Sequence, residues 1–183
     1  MKAKRSRIFT VALSVLLVLA VVVSGISVKT LLQTRKQLEK QYFEQWYQLS
    51  LITEQVAEAA EAGRELSGLA HTVNVISTFA RFVLDDSWEF VHIDYQTFIK
   101  VVARAVPGEK SDEARILLAQ LSRRIHEICE GVVDGCRDAS GMAVAPGIPE
   151  DSPAAQQARL DILALEQQYR DAMQRMIKGL QGG

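Results

Sequence analysis

Ile8 to Val28 reads IFTVALSVLLVLAVVVSGISV, 21 residues without a charge and with Thr10, Ser14, Ser24 and Ser27 as the only hydroxyls. At about 1.5 Å of rise per residue, a helix of this length covers roughly 30 Å, the thickness of a bilayer's hydrocarbon core, and bonds its interior backbone groups internally. The run is therefore read as an N-terminal transmembrane helix. A cleaved signal peptide competes, because Lys2, Lys4, Arg5 and Arg7 form a basic leader. The apolar run is longer than the usual h-region of about 7 to 15 residues and no Ala-x-Ala site follows it, so an uncleaved signal anchor fits better.

Working outward, residues 1–7 read as a cytoplasmic basic tail and residues 29–183 as a helical extracytoplasmic domain. Lys29, Arg35, Lys36 and Lys40 nearly balance the four basic residues before the span. Glu39, and the long domain that would translocate largely regardless of charge, tip the expectation toward a cytoplasmic N-terminus. The expected location is the inner membrane, crossed once, with the bulk of the chain in the periplasm. The lipid bilayer is thus one expected partner.

Residues 30–183 hold 16 basic and 22 acidic residues, a net charge of −6. A mildly acidic domain with no Arg/Lys stripe interleaved with aromatics lacks the footprint of a phosphate-backbone binder, and nucleic acid is not an expected partner. The whole chain is 48% hydrophobic and 23% charged, within the globular range.

From Leu31 to Leu84 the pattern is helical. Leu38, Gln45, Ile52, Ala59, Leu66, Val73 and Ala80 recur every seventh residue, interleaved with Tyr42, Leu49, Val56, Gly63, Ala70 and Ser77. The spacing is that of an a/d seam, but its small and polar members suit a bundle face better than an isolated zipper. One helix continuous with the span, from residue 8 to about 62, is allowed, with a hinge or short turn at Gly63 or Gly68.

Asp85, Asp86 and Ser87 mark a firmer break, and Asp86 with Glu89 has capping-box spacing. A helix starting near Trp88 should carry Phe90, Val91, Tyr95, Phe98, Ile99, Val102 and Val106 inward and stop at Pro107-Gly108. Ser111, Asp112 and Glu113 open the next, with Ile116, Leu117, Leu121, Ile125, Ile128 and Val132 as its stripe and an end between Gly131 and Gly135. Residues 137–152, with Pro146 and Pro149, read as a long loop. Ser152 as N-cap and Pro153 in the first turn open a last helix, striped by Ile162, Leu165, Tyr169, Met173, Met176 or Ile177, and Leu180. The fold class is all-α: an N-terminal transmembrane helix continuing into a long helix, with an antiparallel helical bundle.

Chemistry-bearing residues are few. Cys129 and Cys136 are the only cysteines. In an oxidising compartment they form a candidate disulfide, which requires the helix to break near Gly131, because seven helical residues separate two side chains by about 10 Å. If the helix runs on, both are small core residues. His126, Cys129 and Cys136 are a third reading, candidate metal ligands, although zinc frameworks usually pair shorter spacings. No metal or other cofactor is expected.

His71 and His92 stand alone. Tyr42, Phe43, Trp46 and Tyr47 lie over 20 Å beyond the span on a straight helix, too far for an interfacial belt. They read either as core packing against later helices or as an interaction face. With no phosphate loop and no nucleophile elbow, the expected function is non-enzymatic: a membrane-anchored helical interaction subunit of a membrane or envelope complex, whose partner is another protein or a second copy of the chain. The alternative is an extracytoplasmic domain sensing a small molecule or metal.

This layout of anchor and helical bundle resembles, in architecture alone, the sensory ectodomains of bacterial chemoreceptors and histidine kinases. The resemblance rests on no ligand-binding motif, and no second apolar run follows Leu180.

Overall fold

The computed structural model describes residues 2–84, 88–136 and 152–181, without the side chains of residues 2–23, 25, 26 and 80–84. Among the described residues the chain is helical apart from short connections, and no strand occurs. Five helices follow in order: α1 (Lys2–Glu61), α2 (Ser67–Leu84), α3 (Gln96–Arg104, entered through a π-helical stretch, Phe90–Tyr95), α4 (Glu109–Asp134) and α5 (Pro153–Gln181). The chain divides into two units, Met1–Leu38 and Glu39–Gly183.

The first unit holds the N-terminal part of α1. Of the 8–28 run only Ser24, Ser27 and Val28 have described side chains, all exposed. The side chains on which the transmembrane reading rests therefore lie almost entirely outside the described ones, as do those of the basic tail. Among the described residues no helix is long and apolar enough to cross a membrane.

The second unit is a helical bundle. α1 ends where Gly63 takes a φ of +65°, a conformation glycine adopts without strain. Arg64 N–H donates to the Ala59 carbonyl at 2.8 Å and Gly63 N–H to the Ala60 carbonyl at 3.3 Å, the paired bonds of a Schellman termination. The hinge allowed at Gly63 is thus a full stop. The seven-residue seam survives it: Leu49, Ile52, Val56, Ala59, Leu66, Ala70, Val73 and Ser77 are all buried, while Leu38, its first member, is exposed.

Asp85, Asp86 and Ser87 lie outside the described residues. The helix expected near Trp88 enters through Trp88 and the π-helical Phe90–Tyr95 and ends at Arg104, with Ala105 extended ahead of Pro107. Val106 therefore lies beyond the helix and is exposed rather than inward. α4 opens two residues before its expected start, because Ser111 Oγ accepts from Gly108 N–H at 3.1 Å and donates to the Gly108 carbonyl at 2.8 Å. α5 opens as read, with Ala155 N–H donating to Ser152 Oγ at 3.2 Å. The 137–152 loop, apart from Ser152, lies outside the described residues.

Neighbouring helices run antiparallel, as their contacts show. Along α1, Ser50 meets His126 and Glu61 meets Arg123, so numbers rise on α1 as they fall on α4. Ser77 meets His92, while Ser67 and Arg104 line one cleft, which orders α2 against α3 in the same way. The stripe on α4 is rotated from the expected one: Ala114, Leu118, Leu121, Ile125, Cys129 and Val132 are buried, Leu117 and Ile128 are half-buried, and Ile116 is 60% exposed.

Candidate functional site

Tyr42 and Trp46 belong to the core of the second unit, and Trp46 is fully buried. Its ring meets that of Trp88 edge to face with centroids 4.8 Å apart, a favoured aromatic geometry. Tyr42 accepts a hydrogen bond from Arg159 of α5, whose guanidinium also lies 5.8 Å from the Tyr42 ring centre. The four-aromatic interaction face is corrected accordingly. Phe43 and Tyr47 stay half-buried and stacked, centroids 6.2 Å apart, while Tyr42 and Trp46 are consumed inside the bundle.

The expected disulfide is not formed: Cys129 and Cys136 are free thiols. α4 continues through Gly131 to Asp134, so the break that closure demanded does not occur. Cys129 is completely buried and Cys136 half-buried against the same core. Burial pushes both thiols up from their ordinary range, which leaves little thiolate for nucleophilic attack or metal ligation. Among the described residues no group of three or more His, Cys, Asp or Glu side chains converges to hold a metal.

His126 faces α1. Its Nδ1 lies 3.0 Å from the Ser50 carbonyl and 3.1 Å from Ser50 Oγ, and its Nε2 lies 3.3 Å from a Glu130 carboxylate oxygen. A serine, a histidine and a carboxylate in sequence invite comparison with a nucleophilic triad. Each ring nitrogen faces an acceptor, the Ser50 carbonyl at Nδ1 and the Glu130 carboxylate at Nε2, so the donor and acceptor roles depend on the tautomer, while Ser50 itself is only 6% exposed. The arrangement ties α4 to α1. Tyr95 and Ser122 form a second buried tie, hydroxyl to hydroxyl at 2.8 Å, with Ser122 also donating to the Leu118 carbonyl at 2.7 Å.

A recess of about 660 Å³ lies where the end of α1 meets α4 and α5. Ile116, Arg115, Arg123, Arg124 and Tyr169 line it. Arg123 grips Glu61 with two bonds of 2.9 and 2.8 Å, which lowers the Glu61 carboxyl below its usual range. Arg115 donates to the Arg64 carbonyl at 3.1 Å, next to the α1 stop, and Arg124 pairs with Glu127 at 2.9 Å. The recess thus has arginines fixed in place around an exposed isoleucine.

None of these recess residues was singled out from sequence as functional. Periodicity alone places Ile116 in the core, and Arg115 beside it and Arg123 two turns on carry no local mark of a recess. Compared with family models, curated proteins and solved structures, the chain has no significant match among them.

Proposed function

We propose that the chain is a single-span, membrane-tethered helical subunit, anchored by residues 8–28 with its N-terminus in the cytoplasm, whose bundle docks a protein partner in the periplasm through the α1–α4–α5 recess. The observation that carries this reading is Ile116, 60% exposed within that recess and flanked by Arg115 and Arg123. Exposing an isoleucine beside ordered arginines and a tyrosine forfeits roughly 1.5–3 kcal/mol of burial on that side chain, and it is the composition of protein-binding hot spots. The anchor rests on the uncharged 21-residue run.

A photo-reactive amino acid at position 116 tests the docking surface in intact membranes, with one at the exposed Arg175 as the comparison. One discrete protein adduct specific to position 116 is expected. Equal, diffuse labelling from both positions would remove the recess from consideration. A self-adduct of twice the chain mass would identify the partner as a second copy.

The alternative reading, an extracytoplasmic domain sensing a small molecule, is favoured by a different feature, the polar cleft between α2 and α3.

A further inference from the structure

The face that α3 turns toward its neighbours is apolar at Val91, Tyr95, Phe98, Ile99 and Val102, all buried, and is broken by one amide, Gln96. A glutamine 6% exposed in such a face is a cost unless its polar atoms are matched. They are matched in a directed way. With the Gln96 amide turned so that its nitrogen donates to the His92 carbonyl at 3.2 Å, its oxygen accepts from Lys100 Nζ at 2.9 Å and lies 2.6 Å from Asn74 Oδ1, a contact that becomes a hydrogen bond once the Asn74 amide is turned as well. The amide is therefore the floor of a polar cleft and holds the Lys100 ammonium over it.

Two helical stripes wall this cleft: Ser67, His71 and Asn74 at i, i+4 and i+7 on α2, and Gln96, Lys100 and Arg104 at i, i+4 and i+8 on α3. Its volume is about 150 Å³, room for a small oxyanion with ordered water. No carboxylate lines it. In a domain carrying a net −6, the sequences of α2 and α3 contain no aspartate or glutamate at all. Arg104 sits in the last turn of α3, where the helix dipole favours a cation. That accounts for its sign, but Lys100, a turn earlier, has no such reason, and neither side chain has a carboxylate partner among the described residues.

We infer that the α2–α3 cleft binds a small phosphate-like oxyanion, with Lys100 and Arg104 supplying the charge and Ser67, His71 and Asn74 supplying hydrogen-bonding groups around it. Arg104 offers a planar fork suited to two anion oxygens, and Lys100, preset by the buried amide, offers a point charge. Phosphate chemistry has two sources for a membrane-tethered protein, a dissolved anion and a lipid headgroup.

Full-length protein in nanodiscs of zwitterionic lipid is titrated calorimetrically with inorganic phosphate at constant ionic strength. Lys100→Gln, Arg104→Gln and the double variant are compared with Arg175→Gln, which removes an exposed charge elsewhere. One phosphate per chain is expected, weakened at least tenfold by either single change, lost in the double variant and unaltered by R175Q. A headgroup source gives instead no response to free phosphate, but protection of Lys100 from amine modification in discs containing phosphatidic acid and not in zwitterionic discs. Retained binding in the double variant, an equal loss in R175Q, or neither phosphate binding nor lipid-dependent protection overturns the site. Circular dichroism of the double variant, expected to match the parent, separates loss of binding from loss of fold.

Discussion

Trp46 and Trp88 are the largest fully buried side chains, and each indole N–H lacks an acceptor among the described residues. The pair is thus held by packing alone. Trp46→Ala should destabilise the bundle by about 3–5 kcal/mol, the usual cost of emptying a large aromatic site. Trp88→Phe should cost clearly less, because it also deletes an unpaired buried donor, itself unfavourable by about 1–3 kcal/mol. Urea denaturation of both variants measures the difference, and equal losses would show that the Trp88 N–H has a partner after all. The buried hydroxyl and thiol of Tyr95 and Cys129 make a separate prediction. Burial raises both above their ordinary values of 10.0 and 9.0, so the native state keeps protons that the unfolded chain releases. Above pH about 9 the unfolded state binds fewer protons than the native one, and stability falls as pH rises, by up to about 1.4 kcal/mol per pH unit for each group. In a Cys136→Ser background, Cys129→Ala should flatten the decline between about pH 9 and 10, and Tyr95→Phe the decline above about pH 10. An unchanged slope in both variants would contradict this account.

At the scale of the helix, local rules were legible and tertiary ones were not. Pro107-Gly108 as a stop and Ser152-Pro153 as a start depend on proline's missing N–H and a serine cap, and both are visible in a few residues of sequence. The phase of the α4 stripe was not visible in this way. Ile116 and Leu118 are both apolar within one turn, and only the position of α1 and α5 decides that Leu118 is buried and Ile116 exposed. The Trp46–Trp88 contact joins residues 42 apart, and the Ser50–His126 tie joins residues 76 apart, so neither has a local signature. The anion cleft was hidden for the same reason: its two stripes are on separate helices, and His71 read alone looks like a surface histidine. Two glycines separate a conformational requirement from mere tolerance. Gly63 needs its positive φ, and Gly63→Ala should cost about 1 kcal/mol although nothing lies within 4 Å of the added Cβ. Gly131 lies inside α4 with the same open space and no such φ, so Gly131→Ala should stabilise by about 0.5–1 kcal/mol. Thermal melts of the two variants should move in opposite directions, and a shared direction would refute the Schellman assignment.

For the whole molecule, the proposed membrane anchor and the proposed docking recess make separable demands. A charge at the centre of a membrane helix costs about 2.5–3.5 kcal/mol on insertion scales, so Leu17→Arg together with Leu19→Asp removes roughly 5–7 kcal/mol of the drive to insert residues 8–28. The parent chain should resist alkaline carbonate extraction from membranes, and the double variant should be released with its bundle still folded. Release of the parent would end the anchor proposal while leaving the recess intact as a docking surface. The direction of the span has its own reporter in Cys136, half-buried where Cys129 is sealed. In intact spheroplasts a membrane-impermeant maleimide should label Cys136 slowly but to completion without prior reduction, and leave Cys129 unmodified until the chain is denatured. Labelling only after the membrane is opened would place the bundle in the cytoplasm. Labelling of the intact cell only after reduction would show that the oxidising compartment closes the pair, at the cost of opening α4 at Gly131, where the helix has its least resistant residue.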